Sequence, residues 1–312
     1  MEIKIYTHMN PKPYHLQIPA KTHFFNLFRR FFILSGLDKV LPVFTRHRSL
    51  NTLPGKLIPP NYLYTRGSIR NTKIDGINLK LDISDTVDHS NYFAFAEPAQ
   101  IVLFNAVTPG MTILDIGANI GATTLNFAKK TGQHGKVFSF EPSPYNFKKA
   151  MENISLNSLE NINLINKGLG NEKKSAFLYN VNTTNNGMQR LLQQEPQKDS
   201  YEKTTVEIDT LDNCMSELDI PSPSLIKIDV EGFEYNVLLG ARETLLRHKP
   251  TMFIELDDNN LREQGSTAEN LVKFLTGLNY KLINASDGSF VDERTDFQNC
   301  HFDIMCTPAV HN

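Results

Sequence analysis

The chain has 312 residues, 40% of them hydrophobic and 21% charged, which is ample for a sizeable buried core and too apolar for a disordered chain. A mini-protein held by staples is excluded. The three cysteines, Cys214, Cys300 and Cys306, show no C-x-x-C spacing or Cys/His cluster, which argues against a disulfide framework or structural zinc and for buried thiols in a reducing compartment. The net charge of −2 is divided unevenly: residues 1–74 hold 12 Lys and Arg against Glu2 and Asp38, a net of +10, so the remaining 238 residues carry −12.

The basic front end contains the most apolar stretch, Phe24 to Phe44. Arg29-Arg30 and Asp38-Lys39 break it well short of the roughly 18 apolar residues of a membrane span. The first residues also lack the order of charged, apolar and small-residue segments of a secretory signal, so a cytoplasmic location is expected. Phe24, Phe25, Leu27, Phe28, Phe31, Phe32 and Leu34 crowd one helical segment around Arg29 and Arg30, with Lys21 and His23 before it. An apolar stripe of this kind either docks on the catalytic domain or a partner subunit, or lies in a membrane interface, here through residues 21–44 at the inner membrane face. Pro59-Pro60 and Gly67 suggest a linker, and Lys73 to Ile83 alternates as a hairpin around Asp75-Gly76. Residues 1–73 are therefore expected to be an extension, and residues 74–312 a catalytic domain.

From residue 112 short apolar runs alternate with helix-period segments, as in a parallel sheet covered by helices on both faces. Thr112 to Ile116 reads as a strand, Gly121 to Lys130 as a helix and Lys136 to Phe140 as a second strand. A helix follows with Pro144 at its start and Phe147, Ala150, Met151 and Ile154 on one stripe, then a strand from Ile162 to Asn166. Ser175 to Tyr179 and Thr204 to Ile208 look like additional strands flanking a polar loop, Asn180 to Ser200. Leu225 to Asp229 reads as a fourth core strand, followed by one helix with Phe233, Val237, Leu238, Ala241 and Leu245 as its stripe. Thr251 to Leu256 is a fifth strand and Ala268 to Leu278 a helix. Tyr280 to Ile283 with His301 to Met305 makes a closing antiparallel pair.

Three signals carry chemistry. The first is Leu114 to Gly121, between a strand and a helix, where glycines let a ligand approach the backbone and the helix start offers free N–H groups. Its spacing is G-x-x-x-G preceded by Asp115, not the G-x-G-x-x-G of a dinucleotide fold. An acid there suits a ligand with a cationic end, such as the ammonium and sulfonium of S-adenosylmethionine. The second is Glu141, at the end of the second strand, where an exposed acid can accept both ribose hydroxyls. The third is Asp229-Val230-Glu231-Gly232, closing the fourth strand beside the crevice where the strand order reverses. Glu255, at the end of the fifth strand, adds an acid on the same edge. His89, His134, His248 and His301 have no motif around them and read as surface or packing residues. No dedicated metal-ligand cluster is present in the sequence.

The strings D-I-G-A-N-I-G (115–121), F-E-P-S-P (140–144), I-D-T-L-D (208–212), I-K-I-D-V-E-G-F-E (226–234) and F-I-E-L (253–256) resemble those of the FkbM family of S-adenosylmethionine-dependent methyltransferases. The resemblance covers about residues 74–308. It implies an α/β class I methyltransferase fold, Rossmann-like, with a seven-stranded sheet and a reversed last strand, and methyl transfer usually to oxygen. It puts Asp115, Gly117, Asn119 and Gly121 around the methionine part of the cofactor, Glu141 on the ribose, and Asp229 and Glu231 at the transfer centre, with Asn186-Gly187-Met188 as an acceptor contact. The expected acceptor is a hydroxyl on a glycan, lipid-linked or secondary-metabolite molecule, deprotonated by Asp229 or Glu231. Two other readings stand beside it. One is a nicotinamide-dependent oxidoreductase, which the missing G-x-G-x-x-G opposes, and the other is a non-catalytic binding protein on the same fold. Nucleic acid is a poor candidate partner because the catalytic half is acidic.

Overall fold

The computed structural model describes residues 20–46, 52–94, 97–180, 189–191 and 203–309. Helices α1 (Ala20–Ser35), α2 (Leu41–Thr45) and α3 (Leu53–Leu57) lead into a hairpin of β1 (Ile69–Ile74) and β2 (Ile77–Asp82). Ile74 pairs with Ile77 across Asp75 and Gly76, both at positive φ, as a tight two-residue turn requires. Residue 74 is the last of β1, so a boundary at 73/74 runs through the hairpin. The hairpin belongs to a core in which Leu41, Ile58 and Tyr64 from upstream meet Leu79, Leu81, Ile120 and Leu125.

Two helices absent from the sequence reading, α4 (Thr86–Phe93) and α5 (Pro98–Asn105), bring the chain to the sheet. Asp85 starts α4 by accepting the N–H groups of Val87 and Asp88, and Pro98 opens α5. Then follow β3 (Thr112–Ile116), α6 (Ala122–Thr131), β4 (Lys136–Phe140), α7 (Pro144–Ser155) and β5 (Ile162–Ile165). A side sheet comprises β6 (Gly168–Leu169), β7 (Lys174–Asn180), β8 (Gln189–Leu191) and β9 (Lys203–Asp209). The second half of the main sheet follows α8 (Leu211–Glu217). Its elements are β10 (Leu225–Ile228), α9 (Glu234–Leu239), α10 (Arg242–His248), β11 (Thr251–Asp257), α11 (Asp258–Glu263), α12 (Ala268–Gly277), β12 (Tyr280–Asn284), β13 (Phe290–Val291) and β14 (His301–Pro308).

The main sheet runs β5-β4-β3-β10-β11-β14-β12, with β13 added at the β12 edge. The first five strands are parallel, and β14 lies antiparallel to both β11 and β12. This is the expected doubly wound sheet with a reversed last strand. Its order reverses at β3, which has β4 on one side and β10 on the other, and such a switch point leaves a crevice beyond the carboxyl ends of the two central strands. β10 is buried along its whole length, and β3 from Ile113 onward, as strands covered on both faces must be.

The single helix expected over the stripe Phe233 to Leu245 is two, α9 and α10. Its interruption lies at Gly240-Ala241, where a side chain on Gly240 would collide with the carbonyl oxygen of Gly170. Periodicity continues across the break because both helices lean on the same core. The three cysteines are free, Cys214 and Cys306 fully buried and Cys300 half-buried.

Candidate functional site

The loop between β3 and α6 is built by backbone requirements. Gly117 has φ +84, and any side chain there would collide with the carbonyl oxygen of Asp229, so the two central strand ends meet at a point only glycine allows. Asn119 adopts φ +50, and its amide oxygen is buried without a hydrogen-bond partner, on the wall of the crevice. Gly121, at φ +82, starts α6 with no side-chain cap. Gly121 packs against Ala150 of α7 rather than lining the crevice, whose wall continues through Ile120, Ala122 and Thr123.

Glu141, expected as an exposed acid, is 5% exposed. One of its carboxylate oxygens accepts the N–H of Asn119 at 2.8 Å and the other that of Ser143 at 2.9 Å, so it ties the end of β4 to the glycine loop. Burial pushes its pKa up to about 7, against the pull of the two N–H donors. It reaches the crevice wall beside Phe140 and Pro142.

Asp115 is expected around the methionine part of the cofactor. It is fully buried, its carboxylate accepts the Thr124 hydroxyl at 2.6 Å, and it does not line the crevice. Its partner is a residue with no role in the sequence motifs. Lys227 of β10 stands directly across from Asp115 in the parallel register, with its ammonium 3.6 Å from that carboxylate, 3.2 Å from Asp229 and 2.9 Å from the carbonyl oxygen of Gly117, to which it donates. Burial alone would depress the lysine pKa, but the Asp229 and Asp115 carboxylates outweigh it and hold the pKa above the ordinary value. A cation inside the apolar run Ile226-Lys227-Ile228 was itself the missed signal, since a buried charge needs a partner.

Beyond β10, Asp229 has a half-exposed side chain in the crevice. Glu231 adopts φ +56, a backbone conformation that costs a non-glycine residue about 1–3 kcal/mol and that recurs at functional sites. The turn is held by Glu234, which is fully buried and accepts the N–H groups of Val230 at 3.0 Å and Gly232 at 3.1 Å. Burial lifts the Glu234 pKa to about 7. Glu255 also reaches the crevice, with one carboxyl oxygen buried and unpartnered. Burial, then the negative charge of Asp229, Glu234, Glu231 and Asp303, raises its pKa far above the carboxylate range, which favours the protonated form, able to donate a hydrogen bond.

Gly117, Asn119, Glu141, Lys227, Asp229, Glu231 and Glu255 converge on a cavity of about 350 Å³ at the switch point. Leu169, Leu178, Leu191 and Phe233 give its lining an apolar part, and Val87 and Asn91 of α4 with Gln100 and Phe104 of α5 line it as well. The latter four residues, with Ala122 and Asn126 of α6, are shared with an adjoining groove that runs along α6 to Lys129 and Lys130. Asn186-Gly187-Met188 lie outside the described residues. Among the described residues no group of three or more His, Cys, Asp and Glu side chains is arranged to hold a metal ion. His89 is buried against the carbonyl of Pro59, and His301 pairs with Asp257 at 2.9 Å.

The strand order, the reversed β14 and a crevice walled by the glycine loop and the β4-end acid define a class I methyltransferase architecture. The Methyltransferase FkbM domain model matches residues 115–282, more than half of the chain, and the protein belongs to that family. S-adenosylmethionine is its cofactor. The 2-O-methyltransferase NoeI of Sinorhizobium fredii is 26% identical over 166 residues, spanning 50% of this chain and 67% of that protein. Among solved structures, the FkbM methyltransferase of Methylobacillus flagellatus is 17% identical at a TM-score of 0.39, covering 69% of this chain and 52% of its own, so the chain spans about half its length. A putative methyltransferase from Streptococcus mutans in complex with SAH is 12% identical at a TM-score of 0.40, covering 68% and 97%.

Proposed function

We propose that the protein transfers a methyl group from S-adenosylmethionine to a hydroxyl oxygen of a glycan, lipid-linked or secondary-metabolite acceptor. The observation that carries this reading is the meeting, in one crevice, of the β4-end acid Glu141, the glycine loop and the Asp229 to Glu231 carboxylates at the end of β10. The name of the Sinorhizobium relative, a 2-O-methyltransferase, agrees with it.

The crevice fits the cofactor. Glu141 uses one lone pair of each oxygen for backbone N–H groups and keeps the others for a ribose diol. The orphaned oxygen of Asn119 can accept from an ammonium, the uncapped start of α6 can receive a carboxylate, and the apolar lining of Leu169 and Phe233 suits a flat ring. When bound, the cofactor supplies an electrophilic methyl group on a positively charged sulfur. Asp115 sits beneath this wall, and its role is to fix Lys227, which in turn holds the carbonyl of Gly117 and orients Asp229.

Methyl transfer is an in-line displacement in which the acceptor oxygen forms its bond to carbon as the carbon–sulfur bond breaks, and positioning provides most of the rate. The acceptor hydroxyl must also lose its proton, and Asp229 or Glu231 takes it. Glu255, whose burial favours the protonated form and whose unpartnered oxygen lies in the crevice wall, can donate to an acceptor oxygen. The groove along α6 leaves room for an acceptor beside the cofactor.

The test is transfer of label from methyl-labelled S-adenosylmethionine into a cell extract by the purified protein. The expected product holds its label through strong alkali, as a methyl ether does. Label lost in alkali as from an ester, or confined to nucleic acid, would overturn the proposal.

A further inference from the structure

Helix α1 is attached to the protein by the face opposite to its aromatic stripe. Asn26 bonds the Tyr62 hydroxyl at 3.1 Å, Arg29 donates to the carbonyl of Lys56, and Phe32 and Ile33 pack on the core that holds Leu41 and Leu81. Phe24, Leu27, Phe28, Phe31 and Leu34, spaced at three and four residues, point away. They are 62%, 67%, 55%, 62% and 87% exposed. Leu37, Val40, Val43 and Phe44, past the end of the helix, are exposed apolar side chains as well. A surface of this size on a single chain marks a contact.

Its charge says what the contact is with. Asp38 is the one acid between residues 20 and 74, and it is fully buried and paired with Arg70 at 3.0 Å. Every exposed charged side chain among the described residues from 20 to 74 is therefore positive, Arg30 and Lys39 among them. Aromatic and aliphatic side chains on one face of a helix, with cations at its margin and no exposed acid, are what a helix lying in an anionic bilayer interface requires. Among the described residues no helix is long and apolar enough to cross a membrane, so the contact is with its surface.

We propose that α1 and the segment to Phe44 form a peripheral anchor that seats the protein on an anionic lipid bilayer. The seat is mechanically joined to the crevice, because Thr45 at its end bonds the carbonyl of Phe93 at the end of α4, and α4 supplies Val87 and Asn91 to the crevice wall.

Flotation of the full chain with vesicles tests this, comparing phosphatidylcholine alone with phosphatidylcholine mixed with phosphatidylglycerol. The expected result is flotation with the mixed vesicles at low salt, weakened at high salt and much weaker with phosphatidylcholine alone. Arg30→Ala with Lys39→Ala should weaken it by about fivefold per cation removed, and Phe31→Glu with Leu34→Glu should abolish it while S-adenosylmethionine binding is kept. The salt series on the unmodified chain needs no variant and stands even if one fails to fold. Absence of flotation at low salt overturns the proposal, and so does flotation that Phe31→Glu with Leu34→Glu leaves intact. A soluble dimer that the same pair of substitutions dissolves, without any lipid binding by the unmodified chain, would assign the surface to a second copy instead.

Discussion

Replacing Lys227 with Met should be among the most damaging single changes in the protein. The ammonium is the counter-charge of Asp115, which is fully buried and 3.6 Å away. At an effective dielectric of about 20 that pair is worth roughly 4–5 kcal/mol before desolvation, and removing one member of a buried pair typically costs about 3–5 kcal/mol because the other charge is left uncompensated. The 3.2 Å contact to Asp229 adds little, since that carboxylate is half-exposed and screened. Urea unfolding near neutral pH should therefore show a loss of about 3–5 kcal/mol, or a melting temperature lower by about 6–20 °C for a domain of this size. Asp115→Asn with Lys227→Met removes both charges and lets the new amide oxygen keep the Thr124 hydroxyl bond, so it should recover at least about 2 kcal/mol relative to Lys227→Met alone. A loss below about 1 kcal/mol, or a double variant whose cost is the sum of the two singles, would refute the claim that Asp115 and Lys227 act as a buried pair under the crevice.

Three further outcomes are expected. Glu141→Ala should weaken S-adenosylmethionine binding at least about tenfold by calorimetry, because bonds to a charged acceptor are worth about 1.5–3 kcal/mol, and unchanged affinity would remove Glu141 from the cofactor site. Of Asp229→Asn and Glu231→Gln, at least one should lower turnover by about 10²–10⁴ with a much smaller effect on cofactor affinity, and wild-type turnover in both would mean that positioning alone drives transfer. Glu234, with its pKa raised from 4.5 to about 7 by burial, stabilises the fold fully below about pH 4.5 and loses that contribution as pH rises through about 7, on the order of 3 kcal/mol. Glu234→Gln should flatten this part of the stability profile between about pH 5 and 8, and an unchanged slope would show that Glu234 ionises as readily folded as unfolded.

The order of strands was readable because each core strand is a short apolar run closed by a turn or an acid, and Asp115, Glu141 and Asp229 mark three strand ends in the right succession. Depth was not readable. Asp115 and Glu141 look alike in sequence, each an acid at a strand end, yet one lies a layer below the crevice and the other reaches its wall, because burial depends on which neighbours close over the side chain. Lys227 needed the register of β3 and β10, which sets it opposite Asp115 and which no local pattern contains. Helices α4 and α5 carried usable signals, the cap Asp85 and the initiating Pro98, but each has only eight residues, and the unbroken apolar run Ile101 to Phe104 in α5 shows no helical period. For α1 the stripe was plain and its direction was not, since only the docked structure tells that Asn26, Phe32 and Ile33 face inward and Phe31 and Leu34 outward.

The most direct test of the account is equilibrium titration of the purified full-length protein with S-adenosylmethionine and, separately, with NAD. Saturable one-to-one binding of S-adenosylmethionine, lost when Gly117→Ala forces a methyl group against the carbonyl of Asp229, together with no binding of NAD, is the predicted result. Binding of NAD, or S-adenosylmethionine binding that Gly117→Ala leaves unchanged, would contradict the assignment of the switch-point crevice as a methyl-donor site.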